Sequence, residues 1–340
     1  MIESLHNHTT TSDGKLTHEE SFTLAEKLGL GVFAFTDHDA LPPESALAYL
    51  EGVRGHKTKW VVGIEMTSRM PAEVTDPTLD LHIIGLFTDP ANPALRDHCA
   101  KAQQARRDRM VSIVAQLNKL GFTLTQEDCL AAAGGDSVGK PHIVQALLAY
   151  PENAARMETM RQEFEVVAQS DATLRGRYEH MMARGPRDYP YSLFLSSQAF
   201  YPVETAERSY LPTFEESVAL IRGAGGVASL AHYCYARSEF PIELLESLLS
   251  EKRIDGVETV YGLGNYGTPR EDAVHEERAT LREFVKKHGA IATGGADAHS
   301  SNDLEYYTSR ERNWFTDDTH DMASRLLDRV ETTRGITSSL

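Results

Sequence analysis

Short apolar runs alternate with amphipathic stretches near the start of the chain and again in its last third. A short apolar run between turn residues is typical of a buried strand, whereas apolar positions three and four residues apart indicate a helix. Capping boxes beginning at Thr17 and Thr213 predict helices, as do the stretches 43–52 and about 319–333. Strands alternating with helices predict a parallel α/β sheet or barrel. The runs that fit the strand pattern are 1–5, 32–36, 60–64, 81–87, 227–231, 256–260 and 290–294.

This rhythm is interrupted in the middle of the chain. Apolar residues at helical spacing predict one helix over 93–120, ended by Gly121, and a second long helical pattern over 157–181. The methionine and aromatic residues of these patterns are expected to form a core and not a cofactor site. We predict a barrel domain over residues 1–90 and 206–340 and a mostly helical insertion over residues 91–205.

Charge and cysteine content narrow the classes of function. The chain has 340 residues, with 34 Lys and Arg against 50 Asp and Glu, a net charge of −16. This balance disfavours long nucleic acid, whose binding depends on phosphate neutralisation, but allows a small anion held by metal ions. Cys99, Cys129 and Cys234 form no CxxC pair, so neither a disulfide framework nor a cysteine zinc site is expected. No leader-like segment or apolar run of about 18 residues occurs, which predicts a cytoplasmic protein without a membrane span.

Histidine and acidic residues stand at or near the ends of the predicted strands. Residues i and i+2 of an extended chain face the same side, so His6 and His8 can hold one metal ion together, although such a pair is more often a surface feature. In a parallel barrel the strand ends open on one face, which carries the active site. That geometry gathers His6, His8, Asp13, His38, Glu65, His82, His232, Asp297 and His299. Nine imidazole and carboxylate ligands without thiolate suit two or three manganese, iron or zinc ions.

The ordered set of motifs resembles the PHP family, the polymerase and histidinol phosphatase metallophosphoesterases, over roughly residues 1–90 and 212–300. The resemblance implies a distorted (β/α)7 barrel with a metal cluster at its C-terminal rim. It also implies that His6, His8, Glu65 and Asp297 hold a first metal, that Glu65 bridges to a second metal held by His82 and His232, and that Asp13, His38 and His299 hold a third. The matching motifs are His6-x-His8, Asp13, Thr36-Asp37-His38-Asp39, Gly63-x-Glu65, His82, Ala231-His232 and Asp297-x-His299.

Two motifs depart from the family pattern, and one stretch of the insertion adds to it. Tyr233 follows His232 where many relatives have proline, and the segment before Asp297 is Gly-Gly-Ala. Lys140 and His142 lie in a stretch similar to one in PHP members that act on nucleotide or cyclic phosphates, whose insertion closes over the barrel mouth. The resemblance implies that both residues contact the phosphate. The alternative is that Lys140 is solvated and that His142 caps or packs in its helix.

Several other residues have less specific interpretations. Asp37 and Asp39 flank a predicted ligand and are expected to orient histidines, and Asp39 is also a candidate proton donor. Cys234 is expected to fill space. Arg106 and Arg109 are expected on a solvated helix face, although either can reach a phosphate. The remaining histidines, His18 and His98 among them, have no partner pattern and are expected at the surface.

The expected activity is hydrolysis of a small phosphorylated substrate by a hydroxide that bridges two metal ions. By resemblance, the substrate is a nucleoside 3′,5′-bisphosphate, a cyclic phosphate or the 5′ end of a short oligonucleotide. The alternatives are a histidinol-phosphate type of phosphatase, an amidohydrolase-like hydrolysis, or a non-catalytic metal-binding regulatory module. Such modules usually lose ligands, whereas this chain keeps nine candidates.

Overall fold

The computed structural model describes residues 1–134, 137–196, 199–203, 209–261, 271–309, 321–327 and 337–340, with only the backbone described for residues 271–274. The chain divides into two compact units. The first consists of Met1–Gln103 and Tyr210–Leu340, and the second consists of Gln104–Ser209. Among the described helices, none has the length and apolar character needed to cross a lipid bilayer.

The first unit contains a sheet of seven strands whose spatial order follows the chain. The sheet nearly closes on itself, because the Leu5 N–H donates to Gly294 O and the Asp297 N–H donates to His6 O, both at 2.9 Å. This arrangement confirms the predicted distorted seven-stranded barrel. The strands are β1 (Glu3–Ser4), β2 (Val32–Phe35), β3 (Lys59–Ser68), β4 (Leu81–Leu86), β5 (Val227–Leu230), β6 (Gly256–Tyr261) and β7 (Ile291–Gly295).

One strand runs against the others, contrary to the all-parallel rim assumed from the sequence. β4 pairs antiparallel with both β3 and β5, whereas the other neighbouring pairs in the sheet are parallel. The start of β4 therefore lies at the rim where the parallel strands end, and His82 pairs with Thr67 there. β3 is also longer than predicted, so Glu65 lies inside this strand and not after its end.

Alternation along the strands separates an apolar outer face from the barrel interior. Val61, Ile84 and Leu86 belong to a buried cluster that also contains Met322 and Leu326 of the last described helix. Glu65 and His82 have the same strand parity as these residues, so both side chains point inward. Apolar packing thus fills one end of the barrel, and polar side chains occupy the other.

Helices connect the strands, and the predicted caps are confirmed. Thr17 and Thr213 each accept a hydrogen bond from the N–H of the glutamate three residues later, and the carboxylate of that glutamate accepts a hydrogen bond from the threonine N–H. The helices of this unit are α1 (His18–Lys27), α2 (Glu44–Gly52), α8 (Phe214–Gly223), α9 (Tyr233–Ala236), α10 (Ile242–Ser250), α11 (Glu271–His288), α12 (Ser301–Thr308) and α13 (Met322–Leu327). Helix α13 lies within the predicted last helix, and residues 319–320 and 328–333 lie outside the described residues.

The second unit is helical as predicted and has its own core, which includes Met157, Met160 and Phe164. The predicted pattern over 157–181 is two helices and not one, because Asp171 accepts hydrogen bonds from the N–H groups of the residues two and three positions later and starts a new helix. The helices are α3 (Pro93–Lys119), which begins in the first unit, α4 (Gln126–Ala133), α5 (Lys140–Leu148), α6 (Pro151–Ala168) and α7 (Ala172–Arg184), followed by short 3₁₀ and π turns at Pro186–Asp188 and Tyr191–Leu195. That this unit covers the barrel mouth stays a prediction.

Candidate metal centre

His6 and His8 face the same side of the extended segment after β1, as their spacing predicts. Their ring centroids are 5.2 Å apart, and their Nε2 atoms are 3.2 Å apart. Asn7 between them points the other way and donates hydrogen bonds to Ser4 O and Ala34 O, which fixes the segment against β2. The two imidazoles are therefore presented together to the barrel interior.

Glu65 is the residue on which the histidines converge. Its Oε2 lies 3.3 Å from His6 Nε2, 3.2 Å from His8 Nε2 and 2.9 Å from His38 Nδ1. Its Oε1 lies 2.9 Å from His82 Nδ1 and 3.1 Å from His232 Nε2. Asp297 Oδ1 completes the first group, 3.3 Å from His6 Nε2 and 3.1 Å from His8 Nε2.

A third group lies on the other side of His8. Asp13 Oδ1 is 3.3 Å from His299 Nε2 and 3.9 Å from both His8 Nδ1 and His38 Nε2. The ligand atoms of His8, Asp13, His38 and His299 lie within 4.8 Å of one another, as do those of His6, His8, Glu65 and Asp297, and those of His38, Glu65 and His82. All nine predicted ligands are thus brought to one cluster.

The chemistry of this cluster fits divalent metal ions. Glu65 Oε2 is buried among imidazole nitrogens, yet it accepts no hydrogen bond of normal geometry within the described part of the chain. Buried carboxylate oxygens are normally hydrogen-bonded or coordinate a metal. The donors are imidazole nitrogen and carboxylate oxygen without thiolate, a set that suits zinc, manganese or iron.

The turns that deliver the ligands are strained. Asp39, His232 and Asp297 have positive φ angles of 47°, 23° and 49°, respectively. Non-glycine residues in this region cost free energy and concentrate at functional sites. The close approach of β7 to His6 also requires Gly295, because a Cβ atom there would lie 2.3 Å from His6 N.

Comparison with known proteins identifies the family. A model of the PHP domain matches residues 4–201, more than half of the chain. The chain belongs to the PHP family. Over 303 residues it is 25% identical to a 5′-3′ exoribonuclease Rnm of Salmonella typhimurium, covering 88% of this chain and 85% of the relative. Over 299 residues it is 25% identical to a 3′,5′-nucleoside bisphosphate phosphatase of Chromobacterium violaceum, covering 87% of this chain and 86% of the relative.

A solved structure supports the same placement. The chain resembles a protein from Bifidobacterium adolescentis described as a metal-dependent phosphoesterase, with a TM-score of 0.66 and 25% sequence identity over 97% of this chain and 96% of that one. The PHP fold is therefore shared over nearly the whole chain.

The electrostatics of this PHP site couple its acids to its imidazoles. Burial alone would lower the pKa of His6, but the carboxylates of Glu258 and Glu65 raise it well above its ordinary value. Burial likewise opposes the shift at His299, whose pKa Asp13 raises to about 10. The surrounding imidazoles hold the pKa of Glu65 well below its ordinary value, although burial would raise it. Without metal, these shifts favour protons on His6 and His299 beside the ionised Glu65.

Glu258 is a site residue that the sequence analysis missed. Its Oε1 lies 3.1 Å from His6 Nδ1, and its Oε2 accepts a hydrogen bond of 2.7 Å from the His232 N–H. It therefore directs His6 Nε2 towards Glu65 and supports the strained backbone of His232. The sequence did contain a signal for Glu258. It is a charged residue inside a mostly apolar strand, at one of the alternate positions whose side chains point into the barrel.

The two aspartates beside His38 accept hydrogen bonds from neighbouring segments. Asp37 accepts from Thr9 N at 2.7 Å and Ser12 Oγ at 2.6 Å, which holds the turn that precedes Asp13. Asp39 accepts from Thr67 N at 2.9 Å and Thr67 Oγ1 at 2.8 Å. Both oxygens of Asp39 thus accept hydrogen bonds from Thr67, and its role as proton donor stays a prediction.

Two histidines expected at the surface are buried behind these aspartates. His98 is 1% exposed, with Nε2 3.3 Å from Asp39 Oδ1 and Nδ1 3.1 Å from the Tyr210 hydroxyl. His18 is 5% exposed, with Nε2 3.7 Å from Asp37 Oδ2. The prediction was wrong for both, because their helices present them to the carboxylates of neighbouring loops.

Lys140 and His142 lie at the start of α5 in the second unit. His142 is buried, and its Nδ1 accepts a hydrogen bond of 3.0 Å from the Gly139 N–H, so it caps its helix. The phosphate contacts expected of both residues from the resemblance to other PHP proteins stay predictions.

Proposed function

We propose that this PHP protein is a metal-dependent phosphoesterase that hydrolyses a small nucleotide phosphate. The observation that carries the proposal is the position of Glu65, whose two oxygens face two different sets of imidazoles. Oε2 faces His6 and His8, and Oε1 faces His82 and His232. One carboxylate between two histidine groups is suited to bridge two metal ions a few ångström apart, the arrangement used in two-metal phosphoester hydrolysis.

The chain's residues would hold and orient the metal ions. His6, His8, Glu65 and Asp297 would hold the first ion, Glu65, His82 and His232 the second, and Asp13, His38 and His299 a third. When bound, such ions neutralise phosphoryl oxygens and acidify a water molecule. Glu258 would accept a hydrogen bond from the Nδ1–H group of His6 and so leave Nε2 unprotonated for the metal. The buried aspartates would keep the turns that carry the ligands in place.

Manganese, iron and zinc all suit the donor set. Because each oxygen of Glu65 faces its own group of histidines, we expect at least two ions. Lys140 and His142 would contact the far side of the phosphate, and Asp39 is a candidate proton donor. A cytoplasmic location remains a prediction from composition.

A nucleotide substrate is favoured by the relatives. Both curated relatives described above are named for action on ribonucleic acid or a nucleoside bisphosphate. The net charge of −16 argues against long strands, because polyanion binding needs basic surface. A nucleoside 3′,5′-bisphosphate, a cyclic phosphate or the 5′ end of a short oligonucleotide therefore fits best.

The test is replacement of His232 in manganese-loaded protein. His232→Ala removes a ligand next to Glu65, so we expect loss of about one metal ion per chain and a fall in kcat of at least about 100-fold. Metal content is measured by elemental analysis. Hydrolysis of adenosine 3′,5′-bisphosphate, a cyclic nucleotide, a 5′-phosphorylated dinucleotide and histidinol phosphate is followed by chromatography of the products, because a phosphodiester is cleaved without release of inorganic phosphate.

His56→Ala is the matched control, because His56 is an exposed histidine in the loop between α2 and β3 and is paired with Glu26 of α1. Its metal content and turnover should equal those of the wild type. Normal turnover in His232→Ala would refute the ligand assignment. A fully metal-loaded wild type that hydrolyses none of these esters would instead favour a non-catalytic binding module.

A further inference from the structure

Tyr235 lies at the edge of the metal cluster on the short helix α9. Its N–H donates to His232 O at 2.9 Å, so the helix starts directly at a proposed ligand. Tyr233 anchors the helix, because it is buried and its hydroxyl donates to Phe240 O at 2.9 Å. Tyr235, two positions later, is 41% exposed. The segment is thus fixed on one side and presents an aromatic ring on the other.

The ring of Tyr235 flanks both histidines on the Oε1 side of Glu65. It is stacked relative to His82, with centroids 6.2 Å apart and an angle of 23° between the planes. It meets His232 edge-on at 5.9 Å and 84°. The side chain of His82 is itself 22% exposed, so this part of the cluster opens to solvent. Tyr235 therefore borders the place where a substrate would enter from the His82 side.

We propose that Tyr235 is a binding residue that stacks on the nucleobase of a nucleotide whose phosphate lies at the metal cluster. This inference rests on the proposed function and deepens it. A phosphate next to His82 leaves the sugar and base to extend outward past that histidine, where the Tyr235 ring lies. Tyrosine offers a broad, rigid face with few rotatable bonds, and bases of any sequence stack on such a face. Tyr235 would therefore select nucleotides over phosphorylated compounds that lack a base.

The experiment compares two product-like probes that differ only in the base. Adenosine 5′-monophosphate and ribose 5-phosphate are titrated into the manganese-loaded full chain by calorimetry, with wild type, Tyr235→Ala, Tyr235→Phe and Tyr306→Ala. Tyr306 is a matched control, since it is 37% exposed on helix α12. Metal content is measured for each variant.

We expect the Kd of adenosine 5′-monophosphate to rise about 5- to 150-fold in Tyr235→Ala, the range for loss of one base–aromatic stack. Its Kd should change less than about threefold in Tyr235→Phe, which keeps the ring, and in Tyr306→Ala. Ribose 5-phosphate should bind Tyr235→Ala and wild type alike.

Three results would overturn the inference. The first is an unchanged Kd for adenosine 5′-monophosphate in Tyr235→Ala, and the second is a wild type that binds both probes equally. The third is an equal loss of affinity for both probes together with loss of metal, which would make Tyr235 a support for His82. Phosphate release by the wild type tests the proposed function separately. A catalytically silent protein that shows the expected binding pattern would keep the base site and refute only the phosphoesterase.

Discussion

Buried carboxylates are the residues on which this site depends. Glu65, Glu258 and Asp297 are each at most 2% exposed, and an isolated buried carboxylate costs several kcal/mol or more. Each is tolerated because imidazole nitrogens or backbone N–H groups face its oxygens. Removing one partner therefore leaves a charge uncompensated, so single substitutions here should affect metal binding far more than their size suggests.

Glu258→Gln should lower metal affinity about 10- to 100-fold, the usual effect of losing an outer partner of a ligand histidine. Glu258 accepts from both His6 Nδ1 and the His232 N–H, whereas an amide has one acceptor oxygen and must turn its NH2 group towards one of these donors. The measurement is manganese titration by calorimetry, with circular dichroism to check the fold.

The control for this variant is Glu246→Gln, because Glu246 is paired with Lys287 and His288 on outer helices. It should bind manganese as the wild type does. Unchanged affinity in Glu258→Gln would mean that His6 is oriented without this carboxylate.

At the scale of elements, the sequence predicts the strands well but not their directions. The apolar runs locate all seven strands to within a few residues, because buried strands have a short-range signature. The reversal of β4 leaves no such signature, since the direction of a strand depends on its long connections. His82, predicted inside the fourth strand, reaches the rim because it lies near the start of a reversed strand.

The residues that sequence reasoning missed were missed for a related reason. Glu258 contacts His6, His98 contacts Asp39 and His18 contacts Asp37. Each pair joins two different segments of the fold, and no local spacing marks such pairs. For Glu258 the usable signal was the alternation of side chains along the strand, which places this charged residue on the inner face. The nine candidate ligands were predicted together because their motifs, unlike those of the residues that support them, form an ordered set that resembles the PHP pattern.

The apolar end of the barrel, where α13 packs, provides a test of element packing. Glu3 of β1 is 4% exposed, and its Oε2 accepts a hydrogen bond of 2.8 Å from the Ala323 N–H at the start of α13. Burial raises the pKa of Glu3, and the nearby Asp321 adds to the effect, against the hydrogen bond from Ala323. The folded state therefore binds this proton more tightly than the unfolded state, and stability falls as pH rises from the ordinary pKa of 4.5 through the raised value.

Glu3→Gln should remove this dependence, because an amide resembles the protonated acid. Relative to wild type, the variant should gain stability between pH 5 and pH 8, by about 1.4 kcal/mol for each unit by which the pKa is raised. Urea unfolding of metal-free protein at both pH values, followed by the fluorescence of buried Trp60, measures the difference. A variant that is equally or less stable than wild type at pH 8 would contradict the shift.

At the scale of the whole molecule, the histidines of the candidate metal centre lie beside buried carboxylates in a chain that is acidic overall. In the metal-free protein, His6 and His299 have raised pKa values, and the pKa of His299 is about 10. These shifts favour the protonated form of both imidazoles, although a metal ligand must be neutral. Protons and metal ions then compete for the same nitrogens, and the carboxylates attract either.

Metal loading should consequently release protons, and metal affinity should rise as pH rises from 6 to 8. We expect about one to two protons per chain at pH 7, since His6 and His299 are the imidazoles whose pKa values are raised furthest. Calorimetric titration of manganese into chelator-stripped protein, in buffers of different ionisation enthalpy, gives the number directly. His299→Ala should reduce the release, whereas His56→Ala should not. Binding without proton release would mean that the nitrogens are already neutral in the metal-free state, and that the carboxylates of the cluster are stabilised by backbone and hydroxyl donors and not by imidazolium.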